Sequence, residues 1–156
     1  MTGSTWNHGK IRALALGVLC TPEIPHAMNL LLVDDNRYLT HCLSNFFSEN
    51  GHACSTLWDP SKVIGWLASK GCDAIILDLK MPQTDGLSLT KLIRETYGAI
   101  PILIFTGVGY EEKLLQAALN AGANGFLSKA MGPSSILLAL ERIVTQEPRP
   151  GSRQAA

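Results

Sequence analysis

The sequence has no excess of charge of either sign. Thirteen lysines and arginines balance thirteen aspartates and glutamates, and the isoelectric point lies near 6.9. A domain that binds nucleic acid usually carries surplus positive charge, which neutralises phosphates. We therefore expect no direct nucleic-acid contact by this chain.

Cysteines are few, and none of them stands in a metal-binding or redox pattern. The four residues are Cys20, Cys42, Cys54 and Cys72, with no C-x-x-C pair among them. In a domain of this size such cysteines behave as small buried hydrophobic residues. The sequence therefore predicts reduced, buried thiols in a cytosolic protein.

The sequence also has no apolar run long enough to cross a bilayer. The segment KIRALALGVLC (10–20) joins basic residues to an apolar stretch, but that stretch is too short to span. The segment PHA (25–27) places proline where a signal-peptide cleavage site needs a small residue. We expect a cytoplasmic chain without membrane contact, in which residues 1–27 are a disordered extension.

From Met28 onward, short apolar runs alternate with segments of helical periodicity. The runs predict strands, and they are LLLV (30–33), HACSTL (52–57), AIIL (74–77), ILIF (102–105) and GFLS (125–128). HACSTL is the least apolar of them and is typical of an edge strand. This alternation predicts an α/β fold, with a five-stranded parallel sheet and helices on both faces.

Helix signals fill the segments between these runs. One apolar stripe contains Leu39, Cys42, Leu43, Phe46 and Phe47, and another contains Ile136, Leu137, Leu140, Ile143 and Val144. Pro60 after Asp59 and Pro133 after Gly132 indicate helix starts. The last helix is expected to end near Thr145, which gives one domain over residues 28–145 and a flexible tail over 146–156.

Polar side chains follow the predicted strands at their carboxyl ends. They are Asp34 and Asp35, Asp78, Thr106 and Lys129. Ligands of open parallel sheets collect at this edge. Three crowded carboxylates favour a Mg²⁺ ion among them, while an ammonium and a hydroxyl suit phosphoryl oxygens. An aspartate such as Asp78 can act as a nucleophile towards phosphorus.

Four motifs in this order carry a family resemblance: LLVDDN, LDLKMPQTDG, IFTG and GFLSKA. Together they resemble the receiver domain of two-component response regulators, over Met28 to about Thr145. The resemblance implies a flavodoxin-like, doubly wound fold with strand order 2-1-3-4-5. It also implies a signalling domain rather than an enzyme, in which phosphorylation and dephosphorylation are at most self-catalysed.

The resemblance assigns roles to individual residues. Asp78 would accept the phosphoryl group, Asp35 would bind Mg²⁺ directly, and Asp34 would act mainly through water. The backbone carbonyl of Lys80 would be a further metal ligand. Lys80 would also flank the path of the attacking water together with Val108, so both residues would tune the phosphate lifetime.

A second group of residues would form the switch. By the same resemblance, Lys129 would hold the phosphoryl group or its carboxylate, Thr106 would move to meet it, and Phe126 would follow Thr106. Ala130 stands where the family commonly has proline. Because a cis bond outside proline costs about 2.5 to 4 kcal/mol, we expect a trans Lys129–Ala130 bond.

Partners are also implied by the resemblance. A histidine kinase or a histidine phosphotransfer protein would donate the phosphoryl group. A downstream protein, or a second copy of the chain, would bind the face formed by residues 111–145. The segment LSKAMGPSS (127–135) resembles receivers joined to a helix-turn-helix domain, so the chain is either a stand-alone receiver or a fragment.

Simpler interpretations remain beside these assignments. Asp34 could cap the helix opening at Asn36, and Asp85 with Gly86 could serve only as a loop and helix start. A haloacid dehalogenase-type phosphatase also uses a strand-end aspartate, but it needs an acid two residues later, where this chain has Lys80. A receiver-like binding domain without phosphorylation, or a flavodoxin-type flavin carrier, would share the fold.

Overall fold

The computed structural model describes residues 27–82 and 84–146, which form a five-stranded parallel sheet. The strands are β1 (Asn29–Val33), β2 (Ala53–Leu57), β3 (Ala74–Leu77), β4 (Ile102–Thr106) and β5 (Gly125–Ser128). Their order across the sheet is β2-β1-β3-β4-β5, with every neighbouring pair parallel. The predicted order 2-1-3-4-5 is therefore confirmed, with β2 at an edge.

Five α-helices connect and cover the strands. They are α1 (Arg37–Glu49), α2 (Val63–Ser69), α3 (Gly86–Tyr97), α4 (Glu112–Asn120) and α5 (Pro133–Gln146). A short 3₁₀ turn, Pro60–Lys62, precedes α2. The last helix ends one residue after the predicted Thr145. The predicted extension and tail lie almost wholly outside the described residues.

Burial of both faces of the central strands explains their continuous apolar sequences. Successive side chains of a strand point to opposite faces. In β1, Leu31 and Val33 join the apolar cluster under α2, α3 and α4, whereas Leu30 and Leu32 join the cluster under α1 and α5. The sheet therefore separates two cores, and in β1, β3 and β4 polar residues occur only at the strand ends.

Local capping interactions start the helices where the sequence predicts. The Asp59 side chain accepts a hydrogen bond from the Ser61 backbone N–H, and Pro60 occupies the first position of the turn. Gly132 precedes Pro133, the first residue of α5. These contacts satisfy backbone donors that a helix start leaves free.

The prediction of buried cysteines is wrong for Cys42. This residue lies on α1 within the predicted apolar stripe but is exposed, because the buried line of the helix runs through Leu43 and Phe47. Cys54 and Cys72 are partly buried, and burial raises their thiol pKa to about 11 and about 12 respectively. Both thiols are therefore protonated at neutral pH. Cys20 lies outside the described residues.

Within the described ranges, no helix has the length and apolar character needed to cross a membrane. All peptide bonds described there are trans, as predicted for Lys129–Ala130.

A small hairpin separates β3 from α3 and brings α3 against the end of β3. It pairs Lys80–Met81 with Thr84–Asp85 in antiparallel fashion. Gly86 then begins α3, and its N–H donates to the Leu79 carbonyl at 3.1 Å. A β-carbon at position 86 would lie 2.6 Å from both the Asp78 carbonyl oxygen and the Leu79 α-carbon. Only glycine allows this approach of two backbones.

We predict that Gly86→Ala lowers the free energy of unfolding by roughly 1 to 3 kcal/mol, because the new methyl group meets backbone atoms that cannot rotate away. Gly65→Ala is the matched control. Gly65 is an exposed residue of α2 with no atom within 4 Å of a built β-carbon, so alanine there should add about 0.5 to 1 kcal/mol. Urea unfolding of both variants measures the difference. Equal effects would contradict the close approach.

Candidate functional site

The strand register places the predicted site residues at one edge of the sheet. Val33 is in register with Leu77, and Leu77 with Ile104, so Asp34 and Asp78 leave adjacent strands at the same level. Thr106 is the last residue of β4 and is in register with Ser128, directly before Lys129. Segments far apart in sequence therefore meet at the carboxyl edge of the sheet.

Three carboxylates form a compact cluster at this edge. One oxygen from each of Asp34, Asp35 and Asp78 lies within 4.8 Å of the others. Asp34 and Asp78 are buried, with 1% and 5% of their surfaces exposed, whereas Asp35 is exposed. The cluster therefore has two interior members and one at its mouth.

Both oxygens of Asp34 are engaged by the protein. Its Oδ1 accepts the Asn36 backbone N–H at 2.9 Å, and its Oδ2 lies 2.5 Å from the Lys129 ammonium. Asn36 itself caps α1, since its side chain accepts the Leu39 N–H. The suggestion that Asp34 caps this helix is therefore wrong. Asn36 fixes both the helix start and the orientation of Asp34, a double role that the sequence analysis missed.

Lys129 bridges the two buried carboxylates. Its ammonium nitrogen lies 2.7 Å from Oδ2 of Asp78 as well as 2.5 Å from Oδ2 of Asp34. Burial favours a lower pKa for Lys129, but the hydrogen bonds and charges of Asp34 and Asp78 outweigh it and raise the pKa above its usual value. The ammonium is therefore held in its charged form between two acids.

Burial raises the pKa of Asp34 above its usual value, although the hydrogen bonds from Lys129 and Asn36 and the lysine charge act in the opposite direction. The nearby charge of Asp78 adds to the increase. The folded protein therefore holds a carboxylate in a place that disfavours its charge. A second positive charge near this group would relieve that cost.

Asp78 also receives a backbone hydrogen bond. Its Oδ1 accepts the Lys80 N–H at 3.3 Å, whereas its Oδ2 faces Lys129. The Lys80 side chain is exposed. Asp78 is thus fixed in orientation at the centre of the carboxyl edge.

Thr106 lies in the same region and is connected to Lys129 through the backbone. Thr106 is fully buried, its hydroxyl oxygen accepts the Val108 N–H at 3.4 Å, and its carbonyl accepts the Lys129 N–H at 2.8 Å. Phe126 is partly buried, is in register with Ile104 and packs against the core under α2 to α4. The structure therefore places Thr106 at the carboxyl edge, joined to Lys129, and Phe126 within the strand beside it.

Asp85 and Gly86 lie outside the cluster and serve the start of α3. The Asp85 carboxylate accepts the backbone N–H groups of Leu87 and Ser88, as an N-cap does. This agrees with the simpler interpretation of these residues. What the sequence analysis missed is that Gly86 supports the backbone of Asp78 and Leu79 directly. The signal for it was the glycine immediately after a capping aspartate.

The cluster has the donor chemistry that a magnesium ion requires. Carboxylate oxygens are hard ligands, and Asp35 offers an exposed carboxylate without a hydrogen-bond partner in the described part of the chain. Because Asp34 already has both oxygens in protein contacts, it is suited to act through water. The residues therefore fit a Mg²⁺ ion at the mouth of the site.

Comparison with known protein families gives a specific match. A family model described as the response regulator receiver domain matches residues 30–141. This range includes every strand-end residue described above.

Individual relatives agree with this match. Response regulator MprA of Mycobacterium avium is 32% identical over 117 residues, which cover 75% of this chain and 51% of that protein. Protein PetR of Rhodobacter capsulatus is 35% identical over 124 residues, covering 80% of this chain and 50% of PetR. The crystal structure of Vibrio cholerae chemotaxis protein CheY4 is 27% identical with a TM-score of 0.70, covering 75% and 98% of the two chains. The chain thus spans about half the length of MprA and of PetR.

We predict that Asp34→Asn raises the melting temperature of the metal-free protein at neutral pH, because an amide keeps the shape without the buried charge. The folded-state pKa of Asp34 is raised, so the wild type gains stability from this group as the pH falls through the window between its unfolded and folded values. The advantage of the variant should therefore shrink as the pH is lowered. Thermal unfolding with a metal chelator, over a pH series, measures this.

Asp59→Asn is the control for the direction in which stability changes with pH. Hydrogen bonds from Ser61 lower the pKa of the exposed Asp59, so this carboxylate contributes stability at neutral pH that is lost on acidification. Asparagine there should lower the melting temperature at neutral pH, and the difference should disappear in acid. A stability loss in Asp34→Asn at neutral pH would contradict the conclusion that the folded protein disfavours the charged form of Asp34.

Proposed function

Because the chain belongs to the response regulator receiver domain family, we propose that it accepts a phosphoryl group on Asp78 and passes the signal to a protein partner. Receiver domains of this family are signalling domains. The curated relatives are about twice as long as the matched part, so the activity and partners of the whole protein belong to this proposal.

One observation carries the proposal: the position of the Asp78 carboxylate. It stands at the centre of the carboxyl edge, is fixed by the Lys80 N–H and the Lys129 ammonium, and has two further carboxylates beside it. A fixed aspartate beside a cation suits nucleophilic attack on phosphorus. A bond forms between an Asp78 oxygen and phosphorus, while the bond from phosphorus to the donor breaks.

The residues around Asp78 would bind the metal ion and the phosphoryl oxygens. Asp35 would bind Mg²⁺ directly, Asp34 would orient a bound water, and the backbone carbonyl of Lys80 would complete the protein ligands. A bound Mg²⁺ ion supplies positive charge that offsets the charge on the phosphoryl oxygens. Lys129 would hold another phosphoryl oxygen, for which it must exchange part of its contact with Asp78.

The same contacts support a switch. Thr106 and Lys129 share a backbone hydrogen bond and lie at the ends of the last two strands, so a phosphoryl group that contacts both would draw them together. Phe126, on the strand beside Thr106, would change its packing with this movement. A differential contact of this kind can shift a two-state equilibrium in α4, β5 and α5. We assign partner binding to the face formed by residues 111–145.

The phosphoryl donor in this proposal is a histidine kinase or a histidine phosphotransfer protein in the cytoplasm. The phosphorylated receiver then binds a downstream protein or a second copy of itself. The exposed side chains of Leu119 and Leu138 on α4 and α5 support a protein contact on that face.

A receiver-like binding domain without phosphorylation is the second candidate. The observation in its favour is the direct pairing of Lys129 with both Asp34 and Asp78, which neutralises much of the cluster without any ligand. A haloacid dehalogenase-type phosphatase is disfavoured because the family model matches receivers and Lys80 takes the place of its acid.

We predict that incubation with Mg²⁺ and acetyl phosphate adds one acid-labile phosphoryl group to the wild type and none to Asp78→Asn. An amide keeps the shape of the carboxylate but is not a nucleophile. Asp85→Asn is the matched control: this acid caps α3 outside the cluster, so its variant should be phosphorylated normally. Intact mass measures the product. An unmodified wild type would favour the second candidate.

We predict that Thr106→Ala is still phosphorylated on Asp78 but transmits a weaker change to α4, β5 and α5. The variant keeps the nucleophile and loses the hydroxyl that a phosphoryl oxygen would contact. Amide hydrogen exchange before and after phosphorylation measures the change. Thr90→Ala is a control, since this buried hydroxyl donates to the Gly86 carbonyl inside α3. An identical exchange response in Thr106→Ala and wild type would remove Thr106 from the switch.

A further inference from the structure

An arginine next to the acidic cluster is held by an aromatic ring. Arg37 is the first residue of α1, two positions after Asp35. Its guanidinium carbon lies 4.6 Å from the centroid of the Trp58 ring, which is a cation–π contact. Arg37 forms no ion pair within the described parts of the chain, although the cluster of acids is close to it in sequence.

The Trp58 ring is itself fixed by a buried hydroxyl. Its Nε1–H donates to Oγ1 of Thr40 at 3.0 Å, and the Thr40 hydroxyl donates to the Arg37 carbonyl at 3.0 Å. Thr40 is 1% exposed, whereas 45% of Trp58 is exposed. Trp58 is therefore connected to Arg37 twice, once through the ring face and once through Thr40. It contacts the first turn of the helix that follows Asp35.

Arg37 has two candidate partners, the Trp58 ring and the Asp35 carboxylate, and in the structure it contacts the ring. An arginine side chain is long, and its planar group binds carboxylates with two hydrogen bonds. The Asp35 carboxylate, exposed and without a protein partner, would be the nearest acid along the chain. Exposed ion pairs and exposed cation–π contacts have similar strength, so a ring that is already in place can determine the outcome.

We propose that Trp58 is a positioning residue that keeps Arg37 away from Asp35 and so leaves this carboxylate open to a divalent cation. The inference rests on the proposed role of Asp35 as a direct Mg²⁺ ligand. Removal of the ring would release Arg37, which would then compete with the metal for Asp35. Trp58 thus acts on the metal site through Arg37.

Titration calorimetry of the chain over residues 1–156 with Mg²⁺ alone tests this inference. Trp58→Ala should weaken the affinity by about two- to fivefold, which is the effect of one exposed ion pair competing for the ligand. Trp58→Phe, which keeps a ring face, should lose less. The double variant Arg37→Ala/Trp58→Ala should bind with the affinity of Arg37→Ala alone, because no arginine remains to compete.

Tyr38→Ala is the matched control. Tyr38 follows Arg37 on the same turn and is 80% exposed, so loss of its ring should leave the Mg²⁺ affinity unchanged. Circular dichroism shows that each variant is folded before the titration. An unchanged affinity in Trp58→Ala overturns the inference. So does a double variant that is as weak as Trp58→Ala, since the ring would then act through structure and not through Arg37.

The outcome also separates this inference from the proposed function. If the wild type did not bind Mg²⁺, the role of Asp35 and this inference would be overturned, whereas the proposed phosphorylation of Asp78 is tested separately by intact mass. If the wild type bound Mg²⁺ and accepted phosphate while Trp58→Ala retained full affinity, only the role of Trp58 would fall.

Discussion

The contact of the Lys129 ammonium with Asp34 and Asp78 is the interaction on which the rest of the site depends. Without it, two buried carboxylates would face each other at the centre of the sheet edge, at a cost that a small domain can hardly carry. With it, the metal-free protein stays folded around an acidic cluster. Lys129 follows β5, the last strand, and it stabilises carboxylates that follow β1 and β3.

The contact between Lys129 and Asp78 also affects ligand binding, because a ligand that binds Oδ2 of Asp78 must displace the ammonium from it. A cation that binds at Asp78 competes with an ammonium already in position, whereas a phosphoryl group on Asp78 would attract that ammonium. Lys129 is also joined to Thr106 through the backbone. Lys129 therefore connects the acidic cluster to the ends of the last two strands. The two buried acids and the ammonium form one electrostatic unit.

Much of this could be predicted from the sequence, because the relevant signals are local. Apolar runs that end in Asp34, Asp78 and Thr106 indicate both the strands and their carboxyl edge, and the parallel topology brings these ends together. Side-chain pairings between distant segments could not be predicted. The exposure of Cys42 depends on the rotation of α1 against the sheet, and the stacking of Arg37 on Trp58 depends on a turn that follows β2. The capping by Asn36 needed backbone geometry that composition does not contain.

The close approach of Gly86 to the backbone of Asp78 and Leu79 has a consequence for how sequence variation in this chain is interpreted. In a saturation mutagenesis experiment, position 86 would be as intolerant as a chemically active position, because every side chain larger than hydrogen meets fixed backbone atoms. Intolerance there would reflect volume and not reactivity. A map of mutational sensitivity would therefore include Gly86 in the candidate site, although this residue contributes no chemical group to it.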